Sequence, residues 1–132
     1  MVDDYRPFRQ FISSILQKQP NLQVVGEVED GLEAITQAQV LQPDLILLDI
    51  GLPGLNGIEV ARRIAKMTPH VRIVFLTQES SAEVVEEALR LGARGYVTKV
   101  DAGNELLAAV EAVLGGARFV GSRLNENREP SP

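Results

Sequence analysis

Along the chain, short β-branched and leucine-rich runs alternate with longer stretches whose apolar residues recur at every third or fourth position. That alternation predicts parallel βαβ units and an α/β fold. Phe8, Phe11, Ile12, Ile15 and Leu16 form one helical stripe, and Pro7 suits the first turn, where a missing N–H has no partner to lose. Residues 22–28 read as a strand. Asp30-Gly31-Leu32-Glu33 then has the pattern of a capping box opening a helix along Leu32, Ile35, Ala38 and Leu41. Residues 45–48 are continuously apolar, as a parallel strand covered on both faces should be, and the run stops at Asp49.

The pattern then repeats. A loop carrying Gly51, Gly54 and Gly57 leads to a helix with Ile58, Ala61, Ile64 and Ala65, and a strand over 71–76 ends at Thr77. Ser80 with Glu83 offers another capping box, for a helix through Val84, Val85, Ala88 and Leu89, and Gly92 follows where a positive φ is wanted. Residues 95–98 read as a last short strand with Lys99 after it. The final helix carries Leu106, Leu107, Val110, Val113 and Leu114, and Gly115-Gly116 closes it. Beyond it the chain turns polar, which predicts one domain over 1–119 and a flexible tail over 120–132.

Composition narrows the chemistry. At 132 residues with 45% hydrophobic content, one self-folding domain is expected. Eighteen acidic against 13 basic side chains leave a charge of −5, which disfavours nucleic acid or an anionic membrane as a partner. No run approaches the ~18 apolar residues of a membrane span, and Asp3-Asp4 stand where a signal peptide wants bases, so a cytoplasmic location is expected. With no cysteine, thiolate metal sites and thiol nucleophiles are ruled out, and the single His70, beside Pro69, reads as a surface loop residue.

What remains is a set of polar groups at strand ends: Asp3 and Asp4 after Val2, then Asp49, Thr77 and Lys99. In open α/β sheets ligands bind outside the carboxyl ends of the strands, so these groups are expected to share a pocket. Converging carboxylates repel, and such a cluster either raises a carboxyl pKa or takes a hard divalent cation; oxygen ligands alone point to Mg²⁺. An aspartate beside such a cation can stay ionised and attack phosphorus, with Thr77 and Lys99 offsetting charge on the phosphoryl oxygens.

The order Asp-Asp, then Leu-Leu-Asp-Ile-Gly-Leu-Pro-Gly-Leu-Asn-Gly at 47–57, Phe-Leu-Thr at 75–77 and Gly-Ala-Arg-Gly-Tyr-Val-Thr-Lys at 92–99 resembles the receiver domain of bacterial two-component response regulators. The resemblance runs from Val2 to about Phe119, and the joint occurrence of these motifs is far more specific than any one of them. It implies a CheY-like, doubly wound parallel sheet of five strands in the order 2-1-3-4-5. It implies Asp49 as phosphoacceptor, Mg²⁺ held by Asp4, Asp49 and the Gly51 carbonyl, and Asp3 orienting metal-bound water. Thr77 and Lys99 would bind the phosphoryl group, and Tyr96 would rotate inward as the aromatic switch. A sensor histidine kinase would be the donor. The face of the fourth helix, fifth strand and fifth helix would change on phosphorylation, and that face or the one between the first and fifth helices could support a homodimer. Residues 114–120 resemble the LuxR/NarL type, whose DNA-binding helix-turn-helix module does not follow in this chain, so direct contact with nucleic acid is not expected here.

Several positions depart from the receiver pattern. Only Met1 and Val2 precede the acid pair, so the first strand is nearly absent and the expected start of the natural chain lies upstream. Gln78 is bulkier than the usual small residue there, Gly51 has no side chain to guide water, and Val100 replaces a common proline, which predicts a looser Lys99. The alternative function is an interaction module that works without phosphorylation. A hydrolase acting on external phosphoesters is disfavoured because Gly51 stands where a second acid would be needed.

Overall fold

The computed structural model describes residues 1–52, 55–78 and 82–122. Five α-helices, α1 (Arg6–Gln17), α2 (Gly31–Leu41), α3 (Gly57–Met67), α4 (Ala82–Arg90) and α5 (Ala102–Leu114), surround strands β1 (Leu45–Asp49), β2 (Arg72–Thr77), β3 (Gly95–Thr98) and β4 (Phe119–Val120). The four strands are parallel and lie in the order β1-β2-β3-β4. Because alternate strand residues point to opposite faces, the sheet feeds two cores. Ile46, Leu48, Ile73, Phe75 and Tyr96 pack towards α2, α3 and α4. Leu47, Val74, Leu76 and Val97 meet Ile12 of α1 and Leu106, Ala109 and Val113 of α5 on the other side. None of the helices among the described residues is long and apolar enough to cross a membrane.

Local signals account for most of the element ends. Asp30 and Asn56 each accept a hydrogen bond from the N–H three residues on, Glu33 at 2.9 Å and Glu59 at 3.0 Å, which satisfies a donor in the first turns of α2 and α3. Gly92 and Gly116 adopt φ of +106° and +95°, the conformation that ends a helix without a Cβ penalty. Ser80 and Gly54 lie outside the described residues.

The expected strand over 22–28 is not formed. Its burial alternates as a strand's would, with Leu22, Val24 and Gly26 half-buried between exposed neighbours, but a ladder needs a partner along its length. Only Val2 bridges both sides, to Val28 and to Leu48. Val2 donates its N–H to Leu47 O and accepts from Asp49 N–H, while Asp3 N–H donates to Val28 O and Val28 N–H to Met1 O, at 2.9 to 3.1 Å. The expected 2-1-3-4-5 order therefore survives as a row through Val28, Val2, Leu48, Phe75 and Tyr96, with its first two members one residue long each. Upstream of Met1 the row opens into an apolar cleft of about 450 Å³ between residues 22–26 and β1, floored by Leu16, Val110 and Leu114.

Two further details differ from the sequence pattern. Helix α2 buries Ala34 and Ala38, whereas Leu32 is 65% exposed and Leu41 is also at the surface. α2 packs closely on α3, with Val60 Cγ2 only 2.5 Å from where a Cβ would stand at Gly31, and alanine suits that approach where leucine does not. At the other edge, Phe119–Val120 pairs with β3, Gly121 N–H donates to Tyr96 O at 2.8 Å, and Glu105 accepts from both the N–H and hydroxyl of Ser122.

Candidate functional site: an acidic pocket at the strand ends

Strand register brings the predicted groups to one edge. Asp49, the last residue of β1, lies opposite Leu76, one before Thr77; Thr77 ends β2 opposite Thr98, one before Lys99. The side chain of Lys99 then turns back across the edge. Its Nζ stands 2.7 Å from Asp3 Oδ2 and 3.2 Å from Asp49 Oδ2. The other oxygen of each carboxylate is occupied by backbone, Tyr5 N–H donating to Asp3 Oδ1 at 2.7 Å and Gly51 N–H to Asp49 Oδ1 at 2.9 Å. Asp3 and Asp49 are buried and Asp4 is exposed, yet one carboxylate oxygen from each of the three lies within 4.8 Å of the others.

Burial raises the pKa of Asp49 above the ordinary carboxylate value, against the opposing pull of the Gly51 N–H and the Lys99 charge. For Lys99, burial works against the charge, but the hydrogen bond to Asp3 and the charge of Asp49 outweigh it and the net shift is upward. A buried acidic cluster with one ammonium and a solvent-facing third carboxylate suits a hard, oxygen-seeking divalent cation. Asp3, Asp4 and Asp49 are the residues that would hold it.

Thr77 and Tyr96 are both buried. Tyr96 already lies inside, its ring 5.9 Å from that of Phe75 and tilted by 53°. Gly51 is exposed, and a Cβ there would stand 3.7 Å from Asp49 Oδ1, so the missing side chain leaves that flank of the carboxylate open. Gln78 and Val100 point to solvent, and His70 is exposed as expected of a loop residue. The turn after β3 is restrained by a 2.9 Å hydrogen bond from the Thr98 hydroxyl to Asp101.

Three residues contribute in ways that pattern did not reveal. Arg9 is buried on α1 and donates to Asp3 O at 2.7 Å while facing Glu27 and Glu29, which steadies the acid pair from behind. Gly57 seats the first turn of α3 on β1: a Cβ there would overlap Asp49 O and come within 2.5 Å of Ile50 Cα. Phe8 places its ring under Lys99. The glycine was visible as part of a loop series; the partners of Arg9 and Phe8 are distant in sequence and gave no signal.

The structure thus places three acids, a hydroxyl and a lysine at the carboxyl edge of a parallel α/β sheet. The model of the response regulator receiver domain matches residues 1–111, and the chain belongs to that family. It is 32% identical over 127 residues to the transcriptional regulatory protein DegU of Brevibacillus brevis, covering 96% of this chain and 54% of that one. Against the response regulator UvrY of Escherichia coli K12 it is 33% identical, covering 92% and 56%. The chain thus spans about half the length of these relatives. Among solved structures, a LuxR-family two-component response regulator from Aurantimonas sp. SI85-9A1 superposes with a TM-score of 0.92 at 32% identity, covering 96% and 91% of the two chains. The isolated receiver domain of RcsB from Salmonella enterica serovar Typhimurium, solved with the phosphomimetic BeF3-, superposes at 0.91 with 26% identity, covering 97% and 95%. The chain is a receiver of the kind found in LuxR-type two-component regulators, a signalling domain and not a conventional enzyme.

Proposed function

We propose that residues 1–119 accept a phosphoryl group on Asp49 from the phosphohistidine of a sensor histidine kinase, and that the modified state is read out through the surface of α4, β3 and α5. The observation that carries this reading is the double contact of Lys99, 2.7 Å from Asp3 and 3.2 Å from Asp49. An ammonium shared by two buried carboxylates is already where a phosphoryl oxygen would need it.

Asp49 Oδ1 is tied to the Gly51 N–H, whereas Oδ2 faces the Lys99 side chain, which makes Oδ2 the attacking atom. Its lone pair forms the O–P bond as the P–N bond to the donor imidazole breaks, and the departing nitrogen keeps the bonding pair. Lys99 moves from Oδ2 to a phosphoryl oxygen, and Thr77, from the end of β2, donates its hydroxyl to another. Mg²⁺, held by Asp4, Asp49 and the Gly51 carbonyl with Asp3 acting through water, would supply the positive charge that lets anionic donor and acceptor approach. Because Tyr96 is already buried, the movement of Thr77 would reach the face of α4, β3 and α5 through packing around the Tyr96 ring and not through its inward rotation.

That face, or the one between α1 and α5, is the proposed homodimer surface, and an output on transcription, as the name of one relative suggests, would pass through it. The pocket's acidity and the overall charge of −5 favour protein partners over nucleic acid or membrane, and a cytoplasmic location follows from the kinase partner. Incubation with acetyl phosphate and Mg²⁺ followed by mass spectrometry should add one phosphoryl group, lost in Asp49→Asn. Absence of the added mass in the parent chain would leave the phosphorylation-independent interaction module as the better reading.

A further inference from the structure

Lys99 reaches the pocket without a following proline; Val100 comes next and is 74% exposed. Part of what steadies the ammonium comes from α1. Lys99 Nζ lies over the face of the Phe8 ring, 4.8 Å from its centroid. Phe8 is half-buried and touches Phe11, with centroids 6.3 Å apart and planes at 42°. Phe11 Cζ in turn comes within 3.6 Å of the Cβ position at Gly103, in the first turn of α5. Phe11, Phe8 and the Lys99 charge therefore lie in a row that leads along α1 into the pocket.

An aromatic face attracts a cation through its quadrupole, and it does so without demanding one direction in the plane of the ring. The Lys99 side chain is only 14% exposed, so water contributes little to its solvation. On such a platform the ammonium can move from Asp49 to a neighbouring oxygen while remaining partnered, whereas an aliphatic side chain fills the same volume without attracting the charge.

Building on the reading of Asp49 as phosphoacceptor, we propose that Phe8 is a positioning residue for Lys99, its ring holding the ammonium in the pocket and setting how readily it passes from Asp49 to a phosphoryl group. The test compares Phe8→Leu, Phe8→Met and Phe8→Tyr in the full chain. With acetyl phosphate and Mg²⁺, the two aliphatic variants should gain phosphoryl mass about three- to tenfold more slowly, and Phe8→Tyr should stay within about twofold of the parent. In NMR spectra the Lys99 ε-methylene resonance should be shifted upfield by the ring in the parent and in Phe8→Tyr, and return to its ordinary position in the aliphatic variants, which a packing role alone would not produce. Equal rates in the parent and the folded aliphatic variants, or an equal fall in Phe8→Tyr, would overturn the proposal. If the parent gains no phosphoryl mass, the reading of Asp49 fails, and the resonance decides the contact by itself: shifted supports it, unshifted overturns it.

Discussion

Replacing Asp49 by Asn should abolish most of the stabilisation that Mg²⁺ gives the chain while leaving the metal-free fold nearly as stable as before. At an effective dielectric of about 20, carboxylate oxygens at the outer limit of 4.8 Å repel by roughly 3 kcal/mol, less where Asp4 faces water. The substitution removes two of the three repulsions. It also removes the attraction between Asp49 and Lys99 at 3.2 Å, roughly 5 kcal/mol on the same scale. The two changes nearly offset, so the melting temperature in EDTA should move by no more than about 5 °C. Metal binding is different, because the cation gains from all three carboxylates. At one hundred times its Kd, Mg²⁺ stabilises the parent by about 2.7 kcal/mol, on the order of 10 °C for a chain of this size. Thermal unfolding with EDTA and across a Mg²⁺ titration measures both quantities. An Asn variant that gains as much from Mg²⁺ as the parent, or a parent that gains nothing, would refute an acidic pocket built to take a cation through Asp49.

The raised pKa of Asp49 sets the sign of a pH effect: the folded state binds the proton more tightly than the unfolded one, so this group's contribution to stability falls as pH rises from the unfolded value of 3.8 through the folded one. Asp49→Asn should flatten that slope in metal-free denaturant titrations; an unchanged slope would refute it. The Met1 amine has the opposite sense, since burial lowers it from 8.0 to about 6 and stability should rise between those values, by at most about 3 kcal/mol before solvent screening. Four β-branched residues fused ahead of Met1 should remove that rise and, by filling the apolar cleft beside β1, add roughly 3 kcal/mol net of ordering entropy. A polar leader giving the same gain would show that the cleft does not receive a strand. Gly57→Ala should cost about 2 kcal/mol or more through overlap with Asp49 O and Ile50 Cα and weaken Mg²⁺ binding at once, read by calorimetry; unchanged affinity would separate α3 from the pocket.

The clearest signals in the sequence were those carried by short-range chemistry. The apolar run before Asp49 and the polar residues closing the strands at Thr77 and Lys99 follow from a parallel sheet covered on both faces, and a period of two against a period of about 3.6 separates strand from helix in one pass. The capping oxygen of Asp30 and the positive φ at Gly92 are likewise local, so they could be read residue by residue. Local pattern misled where the outcome depended on a neighbour. Residues 22–28 alternate correctly but lack a partner strand beyond Val2, and the leucines of α2 yield the interface to Ala34 and Ala38 because α3 stands too near.

The chain's own order of residues determined the class of fold, the family and the set of groups able to do phosphoryl chemistry, because each depends on residue type and spacing. Tertiary structure alone decided that one ammonium is shared between Asp3 and Asp49, that Arg9 supports the acid pair from behind, and that Phe8 lies beneath Lys99. These contacts join residues from 6 to 96 positions apart across separate elements. Their geometry is set by strand register and helix packing, which no local stretch of sequence encodes.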